Sequence, residues 1–400
     1  MLGKGATKTL TIFQQLYGKF NKIFLTTPSP REQVVSLKPK GTPRGNVLLS
    51  YRIERFLIEP GQPIPYCHYS SQLSVVMASI FVDLGFAVDI IANTNGAFSP
   101  KKDYSFFIDT RMNFERIANV LNKDCVKIFH ATTAHPYFNN YAETKRLMEM
   151  QERRHVTLRS RRSMDPKHAM AIEFADCVVV HCAFGLKNFN YANKPMYLVP
   201  NAVPYRYPWS DAKDFEACRS RFLWLGSEGM VHKGLDLVLE AFAGMPEYHL
   251  TVCGPVAREK DFEQAYFQEL YHTPNIHTHG WIDVESTEFT ELTNHCLGLV
   301  YPSCSETNAG SVLTCLHAGL IPIISYESGV DVGKDAGIVL DDCSIEAIQE
   351  AVRQMATAST QELKQRSRIA WEFARANHTM ENFEKQYKKM VVKIMADSQK

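Results

Sequence analysis

The chain has 400 residues, 45% of them hydrophobic and 22% charged, with 44 Lys and Arg against 43 Asp and Glu. A single hydrophobic core stops growing near about 250–300 residues, so two domains are expected, and the ordinary composition excludes a disordered or fibrous chain. The balanced charge argues against nucleic acid as a partner, since binding a phosphate backbone favours a basic excess.

Residues 1–45 stand apart, with Lys4, Lys8, Lys19, Lys22, Arg31, Lys38, Lys40 and Arg44 against one acid, Glu32. Ile12, Phe13, Leu16, Tyr17, Phe20, Ile23 and Phe24 recur at three- and four-residue spacing, which predicts a basic amphipathic helix over residues 8–24. Such a helix either lies on an anionic membrane surface or docks on the first domain with its lysines in solvent. Thr27 to Arg44, with Pro28, Pro30, Pro39 and Pro43, reads as a linker.

From residue 46, short apolar runs alternate with helical patterns. Strands are expected at Asn46 to Tyr51, Ala87 to Ala92, Ser105 to Asp109, Val126 to His130, Cys177 to His181 and Met196 to Val199. A second series follows at Phe222 to Gly226, His249 to Gly254, Asn275 to His279, Leu297 to Tyr301, Pro322 to Ser325 and Gly337 to Leu340. Near-continuous apolarity suits strands covered on both faces. The expectation is an α/β chain of two Rossmann-like parallel-sheet domains, residues 46–203 and 204–378, facing across a cleft. Pro200 to Pro208 reads as the hinge, and the helix 379–396 is expected to return to the first domain.

Ligands of open parallel sheets bind beyond the carboxyl ends of the strands, so the turns there matter most. One is Leu225-Gly226-Ser227-Glu228-Gly229-Met230-Val231-His232-Lys233-Gly234, which opens a helix. Glycines allow close backbone approach, a helix start attracts anions, and Lys233 supplies a charge suited to a diphosphate. The second is Tyr301-Pro302-Ser303-Cys304-Ser305-Glu306-Thr307-Asn308-Ala309-Gly310-Ser311-Val312-Leu313. Here Glu306 can accept from sugar hydroxyls or merely favour the helix dipole, and the amides of Gly310, Ser311 and Val312 can hold phosphate oxygens.

These motifs, with Val199-Pro200-Asn201-Ala202-Val203, Val252-Cys253-Gly254-Pro255, His279-Gly280-Trp281 and His317 to Ser325, resemble the retaining glycosyltransferases of family 4 (glycosyl transferases group 1) in content and order. The resemblance is best over residues 197–395 and implies the GT-B arrangement. It implies that Lys233 binds the donor diphosphate and Glu306 contacts the transferred sugar. By the same resemblance Trp281 and Ile282 border the base, amides near Gly310 and Ser311 hold the distal phosphate, and Gly226, Ser227, Gly254, Asn308, Val312 and Thr314 belong to the donor-binding set. Two positions depart from the family pattern: its arginine after the first glycine is Ser227, and its second glutamate is Thr314, which retains one hydroxyl for the ribose. His135 resembles the cleft histidine that touches the donor sugar; His130 is its rival, and a structural role suits either.

The resemblance implies a hexosyltransferase that takes a nucleotide-sugar, UDP- or GDP-linked, and retains configuration through same-face attack. The acceptor is expected to be a glycan or a lipid-linked or cell-envelope polysaccharide precursor. A sugar-nucleotide-binding protein with impaired catalysis, motivated by Ser227 and Thr314, and a GT-B sugar-nucleotide epimerase remain as alternatives. No metal and no other cofactor is expected, because the sequence has no D-x-D, and His277 and His279 suggest no third ligand. The ten cysteines form no C-x-x-C pair, and no run reaches the about 18 apolar residues of a membrane span. A cytoplasmic protein, peripheral at the inner face of the membrane through residues 8–24, is the resulting expectation.

Overall fold

The computed structural model describes residues 32–58 and 69–397. The amphipathic segment 8–24 lies outside them, as does the run Pro63 to His68 of the loop after the first domain's first expected strand. Two sheets organise the chain. The first has seven strands in the order β1-β3-β2-β4-β5-β6-β7: Val34–Leu37, Ala87–Ala92, Asn46–Tyr51, Phe106–Asp109, Val126–His130, Cys177–Val180 and Met196–Leu198. All its pairings are parallel except that of β1 with β3. The second has six parallel strands in the order β10-β9-β8-β11-β12-β13: Ile276–Gly280, His249–Cys253, Arg221–Leu225, Gly298–Tyr301, Ile321–Ser325 and Ile338–Leu340.

Each sheet reverses its winding once, between β2 and β4 and between β8 and β11. Such a switch point opens a crevice at the carboxyl ends of the two strands, where loops diverge to opposite faces. The apolar runs explain the sheets: β3, β4, β6, β11 and β12 are buried along their whole length. β1 is a correction. It falls in the stretch expected to be linker, where flanking prolines masked a four-residue edge strand whose Ser36 Oγ donates to Asp89 Oδ1 at 2.7 Å.

The last helix, Met380–Asp397, sets Phe383, Tyr387, Met390, Val391 and Ile394 into the first domain's core beside Val47, Leu49 and Val179. His378 turns the chain back at the hinge, donating from Nδ1 to the Asn201 carbonyl at 2.8 Å. A second crossing was not evident from the sequence. The helix Pro136–Arg154 and the loop after it lean on the second domain: Met150 and Leu158 join that domain's core, and the buried Arg146 Nη1 donates to the Pro302 carbonyl at 3.1 Å. Arg153 bonds Asp236 at 2.8 Å and Glu240 at 3.0 Å, and Arg154 bonds Glu269 at 2.6 Å.

Candidate functional site

β8 and β11 are neighbours at the second sheet's switch point, so the turns that follow them meet. There Lys233 Nζ donates to Glu306 Oε1, and Tyr301 Oη donates to the same oxygen at 3.4 Å. Lys233 is buried and lies 5.9 Å from the centre of the Tyr301 ring. Burial by itself raises the Glu306 carboxyl, but the Lys233 and Arg162 charges outweigh it and hold the group at about 2. Burial and that carboxylate together push the Tyr301 hydroxyl upward, so it remains a donor. Both bonds go to Oε1, which leaves Oε2 as the oxygen for an incoming hydroxyl.

His232 stiffens the turn. Its Nε2 donates to the Ser305 carbonyl at 2.6 Å, its own carbonyl accepts from Cys304 N at 2.9 Å, and burial lowers its pKa to about 4. The helix Gly310–His317 starts immediately beyond. Its N-cap, Ala309, has no side-chain acceptor, so the first-turn amides of Gly310, Ser311 and Val312 keep the donor capacity of an open helix start. Tyr69 of the first domain closes over this start; a Cβ on Gly310 would lie 2.5 Å from its ring.

Gly226 and Gly254 have a different reason from the one expected. A Cβ on Gly226 would lie 2.4 Å from the Trp224 indole, and one on Gly254 would lie 2.7 Å from the Gly226 carbonyl. The glycines make room for Trp224, which stacks on Tyr301 and donates from Nε1 to the Lys233 carbonyl at 3.3 Å. The glycine turn also lacks most of the open amides expected of it. Gly226 N bonds the Cys253 carbonyl at 2.9 Å, while Gly229 N and Met230 N both donate to the buried carboxylate of Glu259.

Other expected residues are placed as follows. Ser227 is exposed at the turn. Trp281 is 49% exposed beyond β10, and Ile282 is buried beside it. Thr314 lies within the helix Gly310–His317, where its hydroxyl donates to the Gly310 carbonyl at 2.8 Å and its oxygen keeps its capacity to accept. Asn308 adopts φ 68°, donates to the Gly329 carbonyl and accepts from Asn201 N at 3.2 Å, which braces the hinge.

The side-chain hydrogen bonds of His135 run to Tyr137 and Tyr191, with none to Glu306. The histidine caps the helix Pro136–Arg154, accepting at Nδ1 from Tyr137 N at 3.3 Å, and its Nε2 meets Tyr191 Oη at 3.3 Å, with Glu173 behind. His130 is fully buried between Tyr51, His181 and Tyr387. Among the described residues no group of three or more His, Cys, Asp or Glu side chains could hold a metal ion, and no helix is long and apolar enough to cross a membrane.

Sequence reasoning missed Glu259, Tyr69 and Arg162. The first two carry no local signal. Arg162 belongs to a basic run, Arg153, Arg154, Arg159, Arg161 and Arg162, that reads as a solvated face until the second domain is set against it.

Residues 219–358, which span the second sheet, match the model of a protein family described as glycosyl transferases group 1. No curated protein matches the sequence. Solved structures do resemble the chain. The sucrose-phosphate synthase of Thermosynechococcus elongatus aligns with TM-score 0.63 at 14% identity, over 88% of this chain and 100% of its own. HepE of Anabaena, solved with UDP-glucose, aligns with TM-score 0.57 at 11% identity, over 88% and 100%. WaaG, a glycosyltransferase involved in lipopolysaccharide biosynthesis, aligns with TM-score 0.52 at 14% identity, over 86% and 98%. At these identities the likeness establishes the fold, and the fold is GT-B.

Proposed function

We propose that this protein is a glycosyltransferase that holds a nucleotide-sugar against its second domain and passes the sugar to an acceptor in the cleft. The observation that carries the reading is the shielded Lys233–Glu306 pair beside the uncapped start of the helix Gly310–His317. A diphosphate needs counter-charge and amide donors, and a sugar needs a fixed acceptor of hydroxyl protons; this turn supplies all three within one hydrogen-bonded unit.

In this reading the donor diphosphate lies over Lys233 and the first-turn amides. The sugar turns its hydroxyls to Glu306 Oε2, and the base rests beside Trp281. Lys233 and the helix start balance the charge on the departing nucleotide without a metal. A UDP-sugar is the first choice of donor because HepE, of the same fold, was solved with UDP-glucose. Transfer proceeds with retention, the donor phosphate assisting removal of the acceptor proton, as the family resemblance implies. The acceptor is a glycan or a lipid-linked precursor of a cell-surface polymer, reached from the cytoplasmic side.

Thermal unfolding of the protein with UDP-, GDP-, ADP- and CMP-sugars tests this. A selective upward shift for one donor, absent in Glu306→Ala and Lys233→Ala, is expected. A shift that survives both substitutions overturns the assignment. A second reading, a sugar-nucleotide-binding protein without turnover, is favoured by Thr314, whose hydroxyl proton goes to the Gly310 carbonyl, and by His135, whose Nδ1 caps a helix. Donor hydrolysis by the wild type and its loss in Glu306→Ala would exclude that alternative.

A further inference from the structure

The turn after β8 is poorer in anion donors than its glycines suggest. Ser227 is exposed and uncharged, and the Gly226, Gly229 and Met230 amides are taken by Cys253 and Glu259. A diphosphate carries two phosphates, and Lys233, already committed to Glu306, is the one cation this turn contributes. Any second cation at this turn has to come from outside it.

Arg162 lies in the right place. Its stem crosses directly over the turn: a Cβ on Gly229, where φ is 96°, would lie 2.7 Å from Arg162 Cγ and 3.0 Å from Cδ. The bare glycine is therefore what admits the arginine. The loop that carries it is firmly built. Glu143, buried in the helix Pro136–Arg154, accepts from Arg161 N at 3.0 Å, Arg162 N at 2.8 Å, Ser160 Oγ at 2.6 Å and Ser163 Oγ at 3.2 Å. Buried Asn139 donates to the Arg162 carbonyl at 2.8 Å. One carboxylate with four donors fixes a loop far more tightly than a solvent-facing arginine requires.

The charge at the end of that stem is unspent. Arg153, Arg154 and Arg161 each pair with a carboxylate of the second domain, whereas among the described residues Arg162 forms no such ion pair. Its field nonetheless reaches the site, where it acts on Glu306, Lys233, His232 and Tyr301 together. It also bears on Arg111, a like charge whose Nη1 is held by Thr133 Oγ1 at 3.1 Å.

We infer that Arg162 reaches across the cleft as the second cation on the donor diphosphate, doing from the first domain what Ser227 cannot do from the second. The inference rests on the nucleotide-sugar reading and adds a consequence: the donor site is complete only when the two domains are in contact, so donor binding and closure are one event. The guanidinium makes bidentate contact with phosphate oxygens and stabilises negative charge on the leaving nucleotide.

The test is calorimetric binding of UDP, GDP and ADP, each beside its nucleoside, to wild type, Arg162→Ala, Arg162→Lys and the double variant Arg162→Ala/Ser227→Arg. For the diphosphate that binds wild type, Arg162→Ala is expected to weaken binding by about tenfold to a hundredfold, the range of a charge-assisted hydrogen bond, while its nucleoside is unaffected. Arg162→Lys keeps the stem against Gly229 and should fall between, and Ser227→Arg should restore much of the loss. Equal weakening of diphosphate and nucleoside, or none, overturns the inference and leaves the donor reading standing. Failure of all three diphosphates to bind wild type overturns both. Should Arg162→Ala unfold, the Lys variant decides: wild-type affinity in it, with an unchanged dependence on salt, also sinks the proposal.

Discussion

Lys233 and Glu306 stand 73 residues apart in the chain and form one ion pair, at the point where the second sheet reverses its winding. The Trp224 indole donates to the Lys233 carbonyl, and the Glu306 backbone N–H donates to the Glu327 carbonyl at 2.8 Å, so the backbone on both sides of the pair is anchored. Removing one buried partner strands the other charge, at a cost of about 3–5 kcal/mol. Lys233→Met should therefore lower the urea midpoint strongly, and adding Glu306→Gln should recover a clear part of the loss. A double variant no better than the single would show that the pair is not coupled.

The acid limb of stability follows from the same pair. Glu306 is held at about 2 in the folded protein against an ordinary 4.5, so its contribution is complete above about 4.5 and is lost as pH falls towards 2. Glu306→Gln carries no such proton. Unfolding free energies measured between pH 6 and pH 2 should converge for the two proteins as pH falls; curves that stay parallel across the window would place the carboxyl at its ordinary value.

Gly226→Ala should be destabilising because of Trp224, not because of a ligand. The new methyl would meet the indole at 2.4 Å, and overpacking of this kind costs about 1–3 kcal/mol. Trp224→Leu should suppress that cost in the double variant, though it brings a cavity of its own. An additive pair of substitutions in thermal unfolding would contradict the packing account.

His135→Ala should behave as a lost cap. A drop of about 0.5–2 kcal/mol in stability is expected, with the donor-induced thermal shift unchanged. The opposite pattern, intact stability with donor response or turnover abolished, would restore the histidine to the cleft.

What could be read in the sequence was local. Strand after strand was legible because buried parallel strands must be apolar on both faces, and the turns beyond them were legible because glycine, lysine and glutamate there answer to backbone geometry and charge within a few residues. The four-residue β1 was not, since prolines on either side carry a louder signal than Val34 and Val35. The residues of the turn that escaped notice, Arg162, Glu259 and Tyr69, meet partners far along the chain and leave no periodic trace.

The sequence alone determined the α/β class, the two series of strands, and the two turns that carry Lys233 and Glu306. Only the tertiary structure decided how those turns are used. It set the two turns side by side, gave the glycine turn's amides to Glu259, turned Thr314 into its own helix, and made His135 a cap. It also carried Arg162 across from the other domain. The reason is physical: periodicity and turn chemistry are settled by neighbours along the backbone, whereas each polar group's partner is settled by which distant group burial brings within 3 Å or so of it.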